Sequence, residues 1–216
     1  METLSKEIDI YYSIEKAESE EIKEKSSKFI ANAAPASSKE LAMEFLSNIK
    51  IKYHDASHNC YAYRIGKDGL QFRTVDDGEP SGTGGKPILF SINKYKLSDI
   101  IVVVTRYFGG KKLGVGGLAR AYAKAANSVL IKCKTLPVFI TTPVKIQCLY
   151  EDLDVVKKML SEKAVSFEEK YHDSVEIVAH VPTSKAEKFV SSVISNTKGR
   201  AGAIILNLTN KNVSRT

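Results

Sequence analysis

Nine of the chain's 13 glycines fall between Gly78 and Gly117. Glycine is the default residue where φ must be positive or where a ligand must approach the backbone closely. The clustering therefore predicts two long loops of special geometry. The first runs Asp76-Asp77-Gly78-Glu79-Pro80-Ser81-Gly82-Thr83-Gly84-Gly85-Lys86-Pro87. The second runs from Thr105-Arg106-Tyr107-Phe108-Gly109-Gly110 through Lys111-Lys112-Leu113-Gly114 to Gly117-Leu118-Ala119-Arg120-Ala121-Tyr122.

Elements of ordinary periodicity surround these loops. Residues 20–34 read as a charged start followed by an extended stretch, with Phe29 and Ile30 in the core. Ser37 and Ser38 open a helix with Leu41, Phe45, Leu46 and Ile49 at helical spacing. Residues 59–65 alternate Cys60 and Ala62 against Tyr61 and Tyr63, a strand pattern, and a turn at Lys67-Asp68-Gly69 leads into a second strand over 70–75. The β-branched run 100–105 suits a strand buried on both faces. Residues 118–132 are Ala-rich and helical. Pro137 and Pro143 bracket a connection that marks the domain boundary, giving domains 1–139 and 140–216. In the second domain, strands over 144–149, 165–171, 175–181 and 203–208 and helices over 151–162 and 184–195 follow the order βαββαβ. That is the ferredoxin-like split βαβ unit, an antiparallel sheet with helices on one face. The fold class is α+β.

In the first loop, Pro87 in a first helical turn after Ser81 or Thr83 predicts a helix start, whose amides attract anions beside Lys86. Pro80 and Pro87 stand where a P-loop needs glycine and Ser/Thr, so the loop is not one. Asp76, Asp77 and Glu79 lack the spacing of an EF-hand. Turn chemistry, with the acids capping backbone amides, is the simpler reading, and no metal is expected. In the second loop, Gly114, Gly116 and Ala119 match G-x-G-x-x-A. The preceding strand ends too early, and no acidic residue between Asp99 and Glu151 is available to hold a ribose, so a dinucleotide site is rejected. What remains is a phosphate-binding surface made of helix-start amides at Gly116 and Gly117 with Arg106, Lys111, Lys112 and Arg120. Tyr107, Phe108 and Tyr122 are candidate stacking faces for unpaired bases, or else core residues.

The formal net charge of +7 favours anionic partners. Three scattered cysteines, Cys60, Cys133 and Cys148, suit buried free thiols rather than disulfides or zinc. His54 and His58 lack the glutamate of a metalloprotease helix. A Cys60 nucleophile aided by His58 is weighed against a structural pair, and the structural pair is preferred. No complete catalytic constellation is present, and no cofactor is implied. Residues 1–10 do not read as a secretory signal and no apolar run would span a bilayer, so a cytoplasmic, membrane-free protein is expected.

Taken together, four stretches carry a resemblance to a known family. They are Lys25-Ser26-Ser27-Lys28-Phe29, His58-Asn59-Cys60-Tyr61-Ala62-Tyr63, the loop 76–87, and the segment from Val103 to Tyr122. The chain resembles the IMPACT/YigZ family over nearly its whole length, with Gly84 standing where that family usually carries Ala. The resemblance implies an N-terminal domain of the ribosomal-protein-type α/β fold seen in the fourth domain of elongation factor G. It also implies a C-terminal domain like that factor's fifth. It points to a nucleic-acid- or ribosome-associated regulator of translation, with RNA or the ribosome as partner and a protein of the translation machinery as a second candidate. The alternative is an enzyme acting on a phosphorylated or nucleotide substrate through the glycine-rich loops, with Asp76, Asp77, Glu79, Ser81, Thr83 and His58 as its functional loop.

Overall fold

A computed structural model describes residues 9–206 and 213–215. The expectations placed on residues 1–8 and on the strand end at 207–208 lie outside them. The described residues form a mixed α+β fold with two antiparallel sheets and five α-helices. Tyr11–Pro137 forms one compact unit; residues 9–10 and 138 onward form the other. The chain thus divides at 137/138, two residues before the expected position, and residues 9–10 group with the C-terminal unit.

Strand β1 (Ile10–Ile14) runs into the first unit, where strands β2 (Glu18–Glu24) and β3 (Ser27–Pro35) are followed by helix α1 (Lys39–Lys52). Ser38 caps α1 by accepting from the Leu41 amide, with Glu40 in the first turn and Lys50 and Lys52 in the last to match the helix dipole. Then come β4 (His58–Ile65), β5 (Gln71–Val75), α2 (Gly85–Lys94), β6 (Ile100–Tyr107) and α3 (Val115–Lys132). The sheet order is β2-β3-β6-β4-β5, and every pairing is antiparallel.

The sheet is covered on both faces. Ile100, Val102 and Val104 of β6, with Cys60 and Ala62 of β4, join one cluster with α2 and α3. Ile101 and Val103, with Tyr61 and Tyr63, join the other with Leu46 and Ile49 of α1. The predicted doubly buried strand is therefore β6, although its neighbours are antiparallel. Each of its five aliphatic side chains contributes roughly 1.5–3 kcal/mol by leaving water. In α3 the predicted apolar stripe Leu118, Ala121, Tyr122, Ala125, Val129 and Leu130 is buried as read, but the helix begins earlier, at Val115.

The second unit contains β7 (Thr135–Cys148), α4 (Leu153–Lys163), β8 (Ser166–Tyr171), β9 (Val175–Pro182), α5 (Ala186–Asn196), β10 (Gly202–Ile205) and β11 (Val213–Arg215). Its central four strands lie in the order β10-β7-β9-β8. Val144, Ile146 and Cys148 of β7 and Val175, Ile177, Ala179 and Val181 of β9 pack with Val156, Leu160, Phe189 and Val193 of the helices. Arg200 clips this unit with a two-point pair to the buried Asp152 carboxylate.

The expected connection at Pro137 and Pro143 is instead continuous strand, β7. A strand tolerates proline where its ladder has no further use for the missing N–H. At Pro143 the carbonyl still accepts from the Leu206 amide, one residue past the end of β10. The N–H that proline lacks would point to that same side, where the pairing closes.

Candidate functional site

Both glycine-rich loops leave the same part of the sheet. The first follows β5 and opens α2; the second follows β6 and opens α3. They solve the same problem, a helix start with unpaired amides, in opposite ways.

At α2 the expected caps Ser81 and Thr83 do not serve. Thr83 is buried and its Oγ1 donates to the Pro80 carbonyl, while Ser81 is exposed. The N-cap is Gly84. The Asp76 carboxylate accepts from the amides of Gly82, Gly84 and Gly85 at 2.8–2.9 Å. Burial works to raise the Asp76 pKa, but these three amides and the nearby Lys86 charge outweigh it and hold the carboxyl below its usual range. The anion expected at this start is thus part of the chain itself, as the capping reading supposed. Lys86 is left exposed on the outer side of α2. Gly84 is close-packed: a Cβ there would lie 2.5 Å from Cys60 Sγ, so in this chain the thiol occupies the space an alanine methyl would take.

The α3 start has no such filling. Its N-cap is Gly114 at φ 72°, and no side chain among the described residues caps it. With ψ 161° this is backbone space open essentially to glycine alone, and another residue there is strained by about 1–3 kcal/mol. Beside this start lies a cleft of about 360 Å³ lined by Glu79, Arg106, Phe108, Lys112, Gly114 and Val115, among others. Lys111, Lys112 and Phe108 are exposed, the last 49%. Gly117 and Arg120 line a neighbouring hollow of about 280 Å³, where Lys124 pairs with Glu24. Gly116 is exposed on the first turn.

Behind the cleft the two loops are locked together by charge. Glu79 Oε1 accepts from Arg106 Nη1 at 2.7 Å and from the Tyr122 hydroxyl at 2.8 Å, with the Glu79 and Arg106 side chains only 4% and 7% exposed. The Arg106 guanidinium lies against the rings of Phe29 and Phe108, and its Nη2 meets Ser27 Oγ. Its Nε has no hydrogen-bond partner among the described residues. Arg106, read from sequence as part of an open phosphate surface, therefore directs a hydrogen-bonding N–H to a buried carboxylate. Tyr122 is not a stacking face: it is fully buried, edge-on to Phe29, and burial pushes its phenol pKa far up.

His58 Nδ1 lies 2.8 Å from the Asp77 carbonyl, an acceptor only, so Nδ1 carries the proton and Nε2 faces Glu79 Oε2 at 3.9 Å. The Asp77 carboxylate accepts from the Asn59 amide and pairs with Lys50. Cys60 Sγ donates to the Asp76 carbonyl, and burial pushes its thiol up to about 12, which leaves no thiolate near neutral pH. His58 and Cys60 are thus each held by a carbonyl of the 76–77 turn. Tyr107 donates to Asp55, a bond that pushes its phenol up to about 12, while Lys28 sits over its ring.

Among the described residues, no group of three His, Cys, Asp or Glu is placed to hold a metal ion, and no helix is long and apolar enough to cross a membrane. Sequence reasoning missed the braces of the second loop: Ser57 Oγ accepts from the Phe108 amide and Ser27 Oγ from the Gly109 amide. Ser27 lies in the Lys25–Phe29 motif, but nothing about a serine in a strand announces a partner 82 residues away.

Residues 25–130 match the model of the Impact N-terminal domain. The chain is 34% identical over 192 residues to the IMPACT family member YvyE of Bacillus subtilis, covering 88% of each protein. It is 32% identical to the IMPACT family member YigZ of Escherichia coli, across 83% of this chain and 89% of that one. A Dictyostelium discoideum IMPACT homolog is 37% identical over 112 residues, half of this chain and 30% of that protein. A crystal structure of a hypothetical protein superposes with a TM-score of 0.66 at 28% identity, covering 93% of this chain and 98% of that one.

Proposed function

Because the chain belongs to the IMPACT family, we propose that it binds RNA, on the ribosome or free of it, and acts there as a regulator of translation in the cytoplasm. The observation that carries this reading is the α3 start. It is an uncapped set of helix amides beside Lys111 and Lys112, with Phe108 exposed on the same loop. Phosphates suit the amides and lysines, and an unpaired base suits the phenyl face. Two features of the fold support it. The β10-β7-β9-β8 order with both helices in one core is what a ferredoxin-like unit requires, as in the fifth domain of elongation factor G. We read the first unit, a five-stranded antiparallel sheet with helices on both faces, as the counterpart of that factor's fourth domain. Fold likeness alone leaves function open, so the weight rests on the cleft.

The test is titration of the full chain with a fluorescent oligouridylate at several salt concentrations. Affinity should fall linearly on a log–log plot, with a slope near 0.7 per phosphate contacted. The Lys111→Ala/Lys112→Ala variant should bind more weakly and with a shallower slope. Salt-independent binding, or an unchanged variant, overturns the reading.

A second reading, an enzyme on a phosphorylated or nucleotide substrate, is favoured by one observation. The buried Glu79–Arg106 pair, with Tyr122 and His58 against it, sits at the cleft. Buried ion pairs seldom add net stability, which suggests retention for chemistry. Recovery of the oligonucleotide or of added mononucleotides chemically unchanged after incubation separates binding from catalysis.

A further inference from the structure

The five-stranded sheet ends in two edges, and they are protected very differently. The β2 edge carries Glu18, Glu20, Glu21, Lys23 and Glu24, and pairs of Glu20 with Lys132 and Glu24 with Lys124 tie it to α3. Charge of this kind keeps a foreign strand from adding to an edge. The β5 edge has no such cover. Among the described residues its hydrogen-bonded neighbour is β4 alone, and its sequence Gln71-Phe72-Arg73-Thr74-Val75 contains no acid. Phe72 is 56% exposed, and Leu70 just before the strand is 81% exposed.

The register places Phe72 and Thr74 opposite Arg64 and Ala62. Ala62 belongs to the cluster under α2 and α3, so Phe72 points to the α2 side. On α2 the outward row is Lys86, Phe90 and Lys94, at i, i+4 spacing, and Phe90 is 69% exposed. No acidic residue occurs in α2 either. Apolar side chains exposed at an open backbone edge, on a strand and a helix that carry cations and no acid of their own, describe a receptor for an extended chain.

We infer that the β5 edge, with the outer face of α2, is a docking site for an acidic, extended segment of a partner protein, which adds to the sheet as a further strand. The backbone edge supplies hydrogen bonds, Phe72 and Phe90 take apolar side chains, and Arg73, Lys86 and Lys94 select acidic ones. Pairing of two copies through β5 is disfavoured, because it would bring like charges together. The site shares no residue with the α3 cleft, so the proposal stands or falls separately from RNA binding there.

The experiment is an amide NMR titration of the full-length protein with a short synthetic peptide of alternating Val and Glu, and in parallel with oligouridylate. The expected result is peptide-induced shifts and slowed hydrogen exchange confined to residues 70–75 and α2. Phe72→Glu should weaken the peptide roughly tenfold or more with an unchanged melting temperature, since Phe72 is largely exposed. Should that variant melt early, Arg73→Glu reads the charge selection instead: it should weaken the acidic peptide and strengthen one alternating Val and Lys. Absence of shifts along β5 at millimolar peptide overturns the proposal. So do shifts of this strip by oligouridylate rather than peptide, or concentration-dependent self-association lost in Phe72→Glu.

Discussion

Glu79 and Arg106 show how a residue's role can invert between sequence and structure. Read along the chain, each is one charge in a different glycine-rich loop. In the fold they are buried partners 2.7 Å apart, with Tyr122 completing the hydrogen bonding. Removing one member strands the other charge away from water. Arg106→Met should lower stability by about 3–5 kcal/mol, read as a shifted urea midpoint with an unchanged slope. The double variant Arg106→Met/Glu79→Gln should recover most of that loss, since it leaves no uncompensated charge. Equal instability of the single and double variants would show that the pair is not what the single change disturbs. The types of these residues were legible in sequence, but their pairing was not, because 27 positions separate them and only the β5-to-α2 and β6-to-α3 crossings bring them together.

The two helix starts carry the lesson at the scale of elements. At α2, Asp76→Ala should cost about 1–2 kcal/mol, the usual loss of a helix cap. Its pH dependence has a definite sign. The folded-state carboxyl is held low, so its stabilisation is full above the unfolded pKa of about 3.9 and is lost as pH falls through the lower folded value. The stability gap between wild type and Asp76→Asn, from urea titrations, should therefore be constant from neutral pH down to that point and close below it. At α3 the strain argument belongs to Gly114, not to Gly116 or Gly117. Neither of those two has a positive φ, and an added Cβ at Gly117 would touch only Leu113 Cβ at 3.4 Å. Gly117→Ala should melt at or slightly above the wild-type temperature, since alanine favours a helix by up to ~1 kcal/mol over glycine. Its affinity for oligouridylate should fall severalfold as the methyl covers the amides. A variant that binds like wild type would remove the α3 start from the site. Element type and position were largely readable here from glycine, proline and the 3.6-residue stripe of α3. The identity of the α2 cap was not, because Asp76 lies eight residues before Gly84 and acts through a turn.

For the whole molecule, the second unit encloses its own apolar cluster, from Val144 to Ala203, without residues of 11–137. A fragment comprising residues 138–216 should therefore melt in one cooperative transition; retained far-UV signal with no sharp transition would show that it depends on the rest of the chain. The starting point matters, because β7 is unbroken across Pro143 and a cut at Thr142 would remove the part of β7, Val138 to Ile140, that pairs with β11. Sequence alone was enough for what is local and periodic. The βαββαβ order, the doubly buried β6 and the buried stripe of α3 follow from apolar spacing, and the two special loops follow from the backbone freedom only glycine has. Tertiary structure decided what depends on long-range geometry. It filled one helix start with Asp76 and left the other open, buried Arg106 on Glu79, and carried β7 through two prolines. It also left β5 as an unprotected edge. None of these is a property of a residue and its near neighbours. Each depends on which groups the sheet order brings within hydrogen-bonding distance, and periodicity carries no information about that.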